Sequence, residues 1–165
     1  MIDPTVRRAT TGDAGPLRVL ESEARATLVG ARGGTRWLED HPPVGDAWAA
    51  LIGERFVFVA VLDVGDVVPL DVGYLVLDVD GPLARIEQVF VTPDARELGF
   101  GDALLELATA AAVESGARVL EGESLPGDRD TKNLYERAGI TARLITVSTA
   151  LAPVSVPTTA VDASR

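Results

Sequence analysis

The sequence predicts one α/β domain in which helices flank a mixed sheet. Its 165 residues are enough for one substantial core and too few for two. Segments 56–63, 70–79 and 84–92 are dense in Val, Leu, Ile and Phe and are separated by short polar turns, which predicts three neighbouring antiparallel strands. After Pro93 the apolar residues follow a helical period instead. Together these patterns predict a central sheet that is covered by helices.

The segment that precedes these strands predicts one strand and two helices. Residues 6–10 are predicted as an edge strand, and polar residues 11–13 provide capping side chains for an amphipathic helix with apolar positions at 17–28. Residues 29–45 are rich in Gly, Pro and charge, which predicts loops and short helical turns. Residues 46–52 predict a second, short helix.

The chain after Pro93 predicts helices that alternate with strands. Apolar residues at 104–112 form one face of a long helix that stops at Gly116. Residues 118–123 predict a short strand, and residues 129–138 predict a helix that ends at Gly139. Such an order places further helices and one further strand around the same sheet.

The last part of the chain predicts a final strand and a tail. Residues 141–151 are predicted as a strand, with an alternation that is clear at Leu144, Thr146 and Ser148. Residues 152–165 lack periodicity and predict a flexible tail, so the domain is predicted to span residues 1–151. Edge strands of this kind can pair between two copies of a chain, so a homodimer is compatible with the sequence.

The composition argues against three classes of function. The net charge of −10 and the absence of Lys or Arg runs argue against a nucleic-acid partner. The chain has no cysteine and one histidine, His41, so we expect no metal site. Its longest strongly apolar run, 56–62, is too short to cross a membrane, and we expect a cytoplasmic protein with no membrane partner. The negative charge favours a cationic substrate, although acidity is more often a matter of solubility.

Residues 96–101 form a glycine-rich loop between a predicted strand and the long helix. Gly99 and Gly101 allow consecutive backbone N–H groups to approach one anion, and the helix N-terminus adds the positive end of its dipole. The segment differs from a P-loop because no Gly-Lys-Ser/Thr follows, and from a dinucleotide fingerprint because Leu104 occupies the third Gly position. Although such a turn can be only a tight connection, its context predicts a pyrophosphate site.

Two segments resemble the GNAT superfamily of N-acyltransferases. The first is the Arg-x-x-Gly-x-Gly pattern at residues 96–101, preceded by Val-x-Val-x-Pro at residues 89–93, which is similar to that family's acyl-CoA signature. The second consists of residues 125–128 and 133–140, in which a helix carries a Tyr shortly before a Gly. The resemblance covers roughly residues 5–151. It implies a GNAT-like fold, with a mostly antiparallel twisted sheet and a parallel pair around the cofactor site.

The resemblance implies acetyl-CoA, or another acyl-CoA, as the co-substrate. It assigns cofactor binding to a strand, the loop and the start of a later helix, at Val89, Phe90, Val91, Arg96, Glu97, Leu98, Gly99, Phe100, Gly101, Asp102 and Asp128. The family often has Gly and a basic residue at the places of Glu97 and Leu98, and Asn at the place of Asp128. Because carboxylates close to phosphates repel them, we expect Glu97 and Asp102 to point to solvent. Arg96 is then the only cation expected nearby.

The same resemblance implies the two catalytic groups. Tyr135 stands at the family's Tyr position and is expected to protonate the thiolate leaving group, although it could instead be a packing residue. Glu87 is expected to take the proton of the amine, directly or through water, unless it only faces solvent. Glu123 is the second choice for the base and His41 the third.

The predicted function is the transfer of an acetyl or other acyl group from acyl-CoA to the amine of a small molecule or peptide. Trp37, His41 and Trp48 lie in the segment that covers the acceptor site in this superfamily, though each is also compatible with a core or surface role. Two alternatives stay open. One is a degenerate member that binds CoA or a protein partner without catalysis, which the acidic residues of the loop favour. The other is a purely structural or oligomerising domain.

Overall fold

The structure of the protein, a computed structural model, describes residues 4–65, 67–149 and 151. Within these ranges the chain forms five strands and five α-helices, joined in part by 3-10 helices at Thr11–Asp13, Gly45–Ala47 and Pro93–Ala95. The strands are Thr5–Arg8 (β1), Phe56–Leu62 (β2), Leu70–Asp80 (β3), Leu83–Val91 (β4) and Val119–Gly122 (β5). The helices are Ala14–Leu28 (α1), Gly34–Asp40 (α2), Trp48–Glu54 (α3), Phe100–Glu114 (α4) and Arg129–Arg137 (α5).

The five strands form one sheet in the order β1-β2-β3-β4-β5. Neighbouring strands are antiparallel except for β4 and β5, which are parallel. The long helix α4 lies between β4 and β5 in the sequence and provides the crossover that two parallel strands require. The predicted α/β fold class, a mostly antiparallel sheet with one parallel pair and flanking helices, is confirmed.

Each face of the sheet has its own hydrophobic core. On the α4 face, residues of α4 and α5 pack against strand residues such as Leu75 and Ile86. On the α1 face, α1 and α3 pack against strand residues such as Val57 and Tyr74. Full burial of one such aliphatic side chain contributes about 1.5–3 kcal/mol, so the two cores together fix the helices on the sheet. Among the described residues no helix is both long and apolar enough to cross a membrane.

A buried carboxylate fastens α1 to the segment that leads into α3. Glu21 is 2% exposed and accepts hydrogen bonds from the backbone N–H of Val44 at 2.7 Å and of Gly45 at 3.0 Å. It also accepts a bond of 3.1 Å from the indole Nε1 of Trp48. Since every one of these donors is a neutral N–H, the carboxylate is well satisfied without a cation. This contact holds the region between α2 and α3 against the α1 face.

The predicted final strand is wrong for residues 141–149, which form no strand. Their large apolar side chains are exposed, with Leu144 85% and Val147 88% accessible. Alternation and β-propensity make a segment competent to pair, but a strand forms only where an edge receives it, and the outer edge of β5 has no partner within the described ranges. The predicted tail, residues 152–165, lies outside the described residues, and the domain boundary at residue 151 stays a prediction.

The Glu21 contact generates a stability prediction. Glu21→Ala is expected to lower the free energy of unfolding by about 3 kcal/mol, because two half-buried backbone N–H groups and one buried indole N–H lose their acceptor. Urea unfolding followed by circular dichroism measures the effect. The control is Glu23→Ala on the exposed side of the same helix, which is expected to stay within about 0.5 kcal/mol of the parent. Equal effects of the two substitutions would contradict the role of Glu21.

Candidate functional site

The sheet opens between β4 and β5. The two strands pair only from Leu83 with Val119 to Ile86 with Gly122, where β5 ends. Strand β4 continues to Val91, so its last residues have no strand on the β5 side. Backbone groups along such an open edge are free to pair with an extended ligand. The opening therefore provides a wedge with one wall of available backbone donors and acceptors.

A β-bulge marks the start of this opening. In the pairing of β3 with β4, Val76 lies opposite Gln88 while Leu77 lies opposite Ile86, so no residue of β3 lies opposite Glu87. Ile86 packs on the α4 face, whereas Gln88 shares the α1 face with Val76. The extra residue turns both Glu87 and Gln88 toward the α1 face. The bulge thus presents two polar side chains, side by side, where β4 leaves β5.

The glycine-rich loop presents unused backbone donors. Within the described chain, no well-aligned hydrogen bond leads from the N–H groups of residues 97–102, and the first N–H of this region to bond is that of Ala103, to the Gly99 carbonyl at 3.0 Å. Glu97 and Gly99 have left-handed backbone conformations, with φ of 64° and 88°. Left-handed residues at the start of a helix let successive N–H groups converge on an anion. The loop therefore has the backbone geometry that an anion site needs, and its binding of a pyrophosphate stays a prediction.

Glu97 holds this conformation without being glycine. Its φ of 64° is the one positive value at a non-glycine position among the described residues, and its side chain is exposed. An L-residue in the left-handed region costs about 1–2 kcal/mol. A glycine adopts this conformation without that cost.

Gly101 has a packing role that the sequence analysis missed. A methyl group built on Gly101 would stand 3.1 Å from Cδ1 of Leu134. The absence of a side chain at Gly101 therefore lets α5 approach the first turn of α4. Gly99 differs, because its positive φ is what its position at the N-terminus of α4 requires.

Two charged side chains of the loop region, Arg96 and Asp102, have ion-pair partners, whereas Glu97 is exposed. Arg96 Nη1 lies 2.6 Å from Asp130 Oδ2, and its Nε donates to the Val91 carbonyl at 3.2 Å. Asp102 forms two bonds of 3.1 Å with Arg137. The expectation that Arg96 is the only cation nearby is therefore wrong, since Arg137 of α5 also lies beside the loop. Its guanidinium offsets the charge of Asp102 at the start of α4.

Asp128 caps α5. Its carboxylate accepts a hydrogen bond of 3.0 Å from the Thr131 N–H and one of 2.7 Å from the Thr131 hydroxyl. An aspartate at this position is a strong N-cap, which explains its presence independently of any ligand. The cap also fixes the helix that carries Tyr135, two turns further on.

Tyr135 stands against the last residue of β5. A methyl group built on Gly122 would lie 2.6 Å from both Cζ and Oη of Tyr135. The residue is 5% exposed, and its hydroxyl has no hydrogen-bond partner among the described residues. Burial, with the carboxylates of Asp128 and Glu123 as smaller causes, raises the pKa of Tyr135 well above its ordinary value. The hydroxyl therefore keeps its proton at neutral pH.

Glu87 lies on the opposite side of the opening from Tyr135. Its Oε2 is 3.7 Å from Arg55 Nε, which lies 3.1 Å from Asp78 Oδ1 as well. The Glu87 side chain is 36% exposed. Because Ile86 pairs with Gly122, Glu87 is the first β4 residue beyond the last paired position. The two predicted catalytic residues thus flank the same opening from its two faces.

The other candidates lie in less suitable places. Glu123 follows β5 and is exposed, near enough to Tyr135 to affect its pKa. His41 is exposed and stacks on Trp37 at 4.3 Å between ring centroids, with Nδ1 2.9 Å from the Trp37 carbonyl. Trp48 is completely buried in the core of the α1 face. Its predicted alternative role as a core residue is therefore the one that the structure supports.

Two loops meet beside the opening. A methyl group built on Gly33, between α1 and α2, would lie 3.6 Å from Leu125 Cδ2. A methyl group built on Gly127 would lie 3.0 Å from the backbone nitrogen of Arg32. The connection between α1 and α2 thus touches the loop that leads from β5 to α5. Trp37 lies one helical turn further along α2.

No cluster of three or more His, Asp or Glu side chains in the described ranges is arranged to hold a metal ion. Sequence reasoning missed three features of this site: Gln88, Gly122 and Arg137. Gln88 was detectable as a polar residue within the apolar run 84–92, but its partner, Tyr74, belongs to another strand. Gly122 and Arg137 acquire their roles only through packing across elements.

Comparisons with known proteins agree with this architecture. A family profile described as "Acetyltransferase (GNAT) domain" matches residues 53–139. No match is found among curated proteins. The fold is similar to that of aminoglycoside N-acetyltransferase AAC(6')-Iy in complex with CoA, at 16% identity and a TM-score of 0.61 over 92% of this chain and 97% of that one.

Two further solved structures have the same fold. An integron cassette protein from the mobile metagenome of Cole Harbour Salt Marsh is 26% identical, with a TM-score of 0.60 over 90% of this chain and 91% of that one. Ribosomal-protein-alanine N-acetyltransferase from Brucella melitensis biovar Abortus 2308 is 19% identical, with a TM-score of 0.58 over 91% of this chain and 99% of that one.

The contact between Gly122 and Tyr135 generates a prediction. Gly122→Ala is expected to lower the free energy of unfolding by about 1–3 kcal/mol, because the methyl group overlaps the tyrosine ring and either the ring or the strand end must move. Thermal or urea unfolding measures the loss. In the matched control, Gly53→Ala in α3, the methyl group meets no atom within 4 Å, so stability is expected to stay equal or rise. A stable Gly122→Ala variant would contradict the packing described.

Proposed function

Because this chain belongs to the GNAT family of acetyltransferases, we propose that it transfers an acetyl group from acetyl-CoA to a primary amine by direct attack. The observation that carries the proposal is the opening between β4 and β5, which has free loop N–H groups at one end and Tyr135 at the other. A pyrophosphate site and a buried proton donor on one wedge fit a long thioester cofactor. The same wedge opens toward both faces of the sheet.

The cofactor would be held mainly by backbone groups. The N–H groups of residues 97–102 would bind the pyrophosphate, and the helix dipole of α4 would add to their attraction. The open edge of β4 at residues 89–91 would pair with the amides of the pantetheine arm. Arg96 is already bound to Asp130, so its side chain serves to hold the loop against α5 unless the cofactor displaces it.

Tyr135 would act as the acid of the reaction. When the amine nitrogen attacks the thioester carbon, the C–S bond breaks and the sulfur leaves as a thiolate, which takes a proton. The Tyr135 hydroxyl is protonated at neutral pH and has no competing partner among the described residues, so it is available for this transfer. Its place beside Gly122 is at the α4-face side of the opening.

Glu87 would act as the base. The attacking amine loses one proton as the new C–N bond forms, and the carboxylate accepts it directly or through one water molecule. The Oε1 atom of Glu87 has no partner in the described chain, while Oε2 faces Arg55 at 3.7 Å. Acid and base would then work from opposite faces, so that the sulfur and the amine lie on different sides of the carbonyl carbon.

Similar proteins indicate the breadth of acceptors within the fold. One solved neighbour is an aminoglycoside acetyltransferase in complex with sisomicin, and another is named for the acetylation of a ribosomal-protein alanine. We propose that the acceptor here is a small molecule or a peptide with a primary amine, for which the net charge of −10 gives a favourable field.

A second candidate function is that of a degenerate domain that binds CoA weakly, or a protein partner, without catalysis. Two observations favour it: Glu97 places a carboxylate beside the phosphate loop, and Asp130 engages the Arg96 side chain. Binding of acetyl-CoA with no acetyl transfer to any member of a broad amine panel would identify this function. Transfer to one amine would exclude it.

The proposed chemistry predicts a loss of turnover without a loss of binding. Tyr135→Phe is expected to lower kcat about 100-fold, because the thiolate then leaves without its proton donor, and Glu87→Gln is expected to cause a similar loss. Acetyl-CoA consumption measures kcat, and calorimetry measures cofactor affinity, which should change little. The control is Glu106→Gln on the exposed face of α4. Unchanged turnover in Tyr135→Phe would contradict its role.

Substitution of Glu97 in the loop is expected to raise the affinity for acetyl-CoA. Glu97→Gly should bind acetyl-CoA about tenfold more tightly, since it removes a carboxylate near the phosphates. The left-handed strain is already present in the unliganded chain, so its removal should raise the free energy of unfolding and not the affinity. Glu97→Gln removes only the charge, so it should show the same gain in affinity, which weakens with added salt, without the gain in stability. Calorimetric titration at two salt concentrations, together with urea unfolding, separates the two effects. Weaker binding by Glu97→Gly would show that the carboxylate itself contributes to the site.

A further inference from the structure

Gln88 is a polar residue on the α1 face whose amide has a fixed orientation. Its Oε1 accepts a hydrogen bond of 2.7 Å from the hydroxyl of Tyr74. Tyr74 is 1% exposed and is held between Trp48, at 5.5 Å in an edge-to-face contact, and Phe90, at 6.3 Å. Because a buried hydroxyl needs an acceptor, the carbonyl side of the Gln88 amide is committed to Tyr74.

The nitrogen side of the same amide is left available. Gln88 Nε2 forms no hydrogen bond with the described residues, yet it is not sealed in the core. In the described part of the chain, the one buried side-chain polar atom that lacks a hydrogen bond is Arg55 Nε. Because Gln88 Nε2 also lacks a hydrogen bond and is a different atom, it is not buried and therefore reaches solvent. An N–H₂ group that is oriented by its own carbonyl and open on the other side is a preorganised donor.

This donor lies next to the proposed base. Glu87 and Gln88 are the two residues that the β-bulge turns toward the α1 face, at the point where β4 leaves β5. An acceptor that reaches the opening from this face therefore meets a carboxylate and an amide donor side by side.

We propose that Gln88 binds an oxygen atom of the acceptor, next to the amine that is acetylated. This inference rests on the proposed function. An N–H₂ donor attracts a hydroxyl or carbonyl oxygen and does not attract an ammonium group, whereas the carboxylate of Glu87 attracts the amine. The acceptor class is then a primary amine with an oxygen on the neighbouring carbon, such as an amino alcohol, an amino sugar or an amino acid amide.

The donor of Gln88 and the carboxylate of Glu87 together would also discriminate between amines. A plain alkylamine leaves the amide N–H of Gln88 without a partner once water is displaced, and the site loses the free energy of that bond. An amine that carries the neighbouring oxygen keeps this hydrogen bond. Tyr74 acts as a positioning residue, because its hydroxyl holds the amide so that nitrogen and not oxygen faces the acceptor.

The test compares trans-2-aminocyclohexanol with cyclohexylamine, which differ by one hydroxyl group. Their dissociation constants are measured by NMR titration of the full chain saturated with CoA, with concentrations expressed as neutral amine, and acetyl transfer from acetyl-CoA is measured in parallel. The parent is expected to bind the amino alcohol about tenfold more tightly than the alkylamine. Gln88→Met is expected to remove this preference through weaker binding of the amino alcohol alone.

A second variant separates the donor from the packing. Gln88→Glu keeps the side-chain shape and the acceptor for Tyr74 but has no N–H₂ donor, so it too should lose the preference while its unfolding midpoint stays close to that of the parent. Equal binding of the two amines by the parent would overturn the inference. Equal weakening of both amines by Gln88→Met would do so as well. A Gln88-dependent preference without acetyl transfer would support the inference and contradict the proposed function.

Discussion

Tyr135 packs so closely under Gly122 that no side chain larger than hydrogen fits between the ring and the end of β5. This contact fixes α5 relative to the sheet at the position where β5 ends. Beyond that position β4 continues without a parallel strand beside it. Several features of the site depend on it. The contact places the hydroxyl beside the end of β5, and the burial that comes with it raises the pKa of Tyr135. Asp128 reinforces the arrangement by capping the helix that carries the tyrosine.

The phosphate loop shows how backbone geometry can act where side chains are unfavourable. Glu97 and Asp102 bring negative charge to a loop that fits a pyrophosphate, yet Asp102 is paired with Arg137 and Glu97 is exposed. The remaining attraction comes from consecutive N–H groups and from the dipole of α4, neither of which depends on side-chain identity. The energetic cost is the left-handed conformation of Glu97. Such strain at a ligand loop is tolerated when the surrounding packing, here Gly101 against Leu134, fixes the backbone.

Local sequence patterns predicted most of the fold, because the central strands and the long helix have clear periods and clear turn residues. The segment 141–151 misled for a physical reason: Leu144 and its neighbours alternate like a strand, but alternation does not provide an edge to pair with, and residues 141–149 stay exposed. The motif at residues 96–101 and Tyr135 pointed to the opening that the structure contains. The bulge at Glu87 and the bond from Tyr74 to Gln88 depend on the register between two strands, and no local pattern reports that register.

Backbone N–H groups of residues 97–102 and the open edge of β4 are proposed to bind acetyl-CoA. Amide hydrogen exchange of the full chain, measured by NMR with and without saturating acetyl-CoA, tests this proposal residue by residue. We expect exchange to slow at residues 97–102 and at Val89 and Val91, whose N–H groups face away from β3, while the amides of β2, which has a strand on each side, change little. Saturated binding of acetyl-CoA with unchanged exchange at residues 97–102 would contradict it.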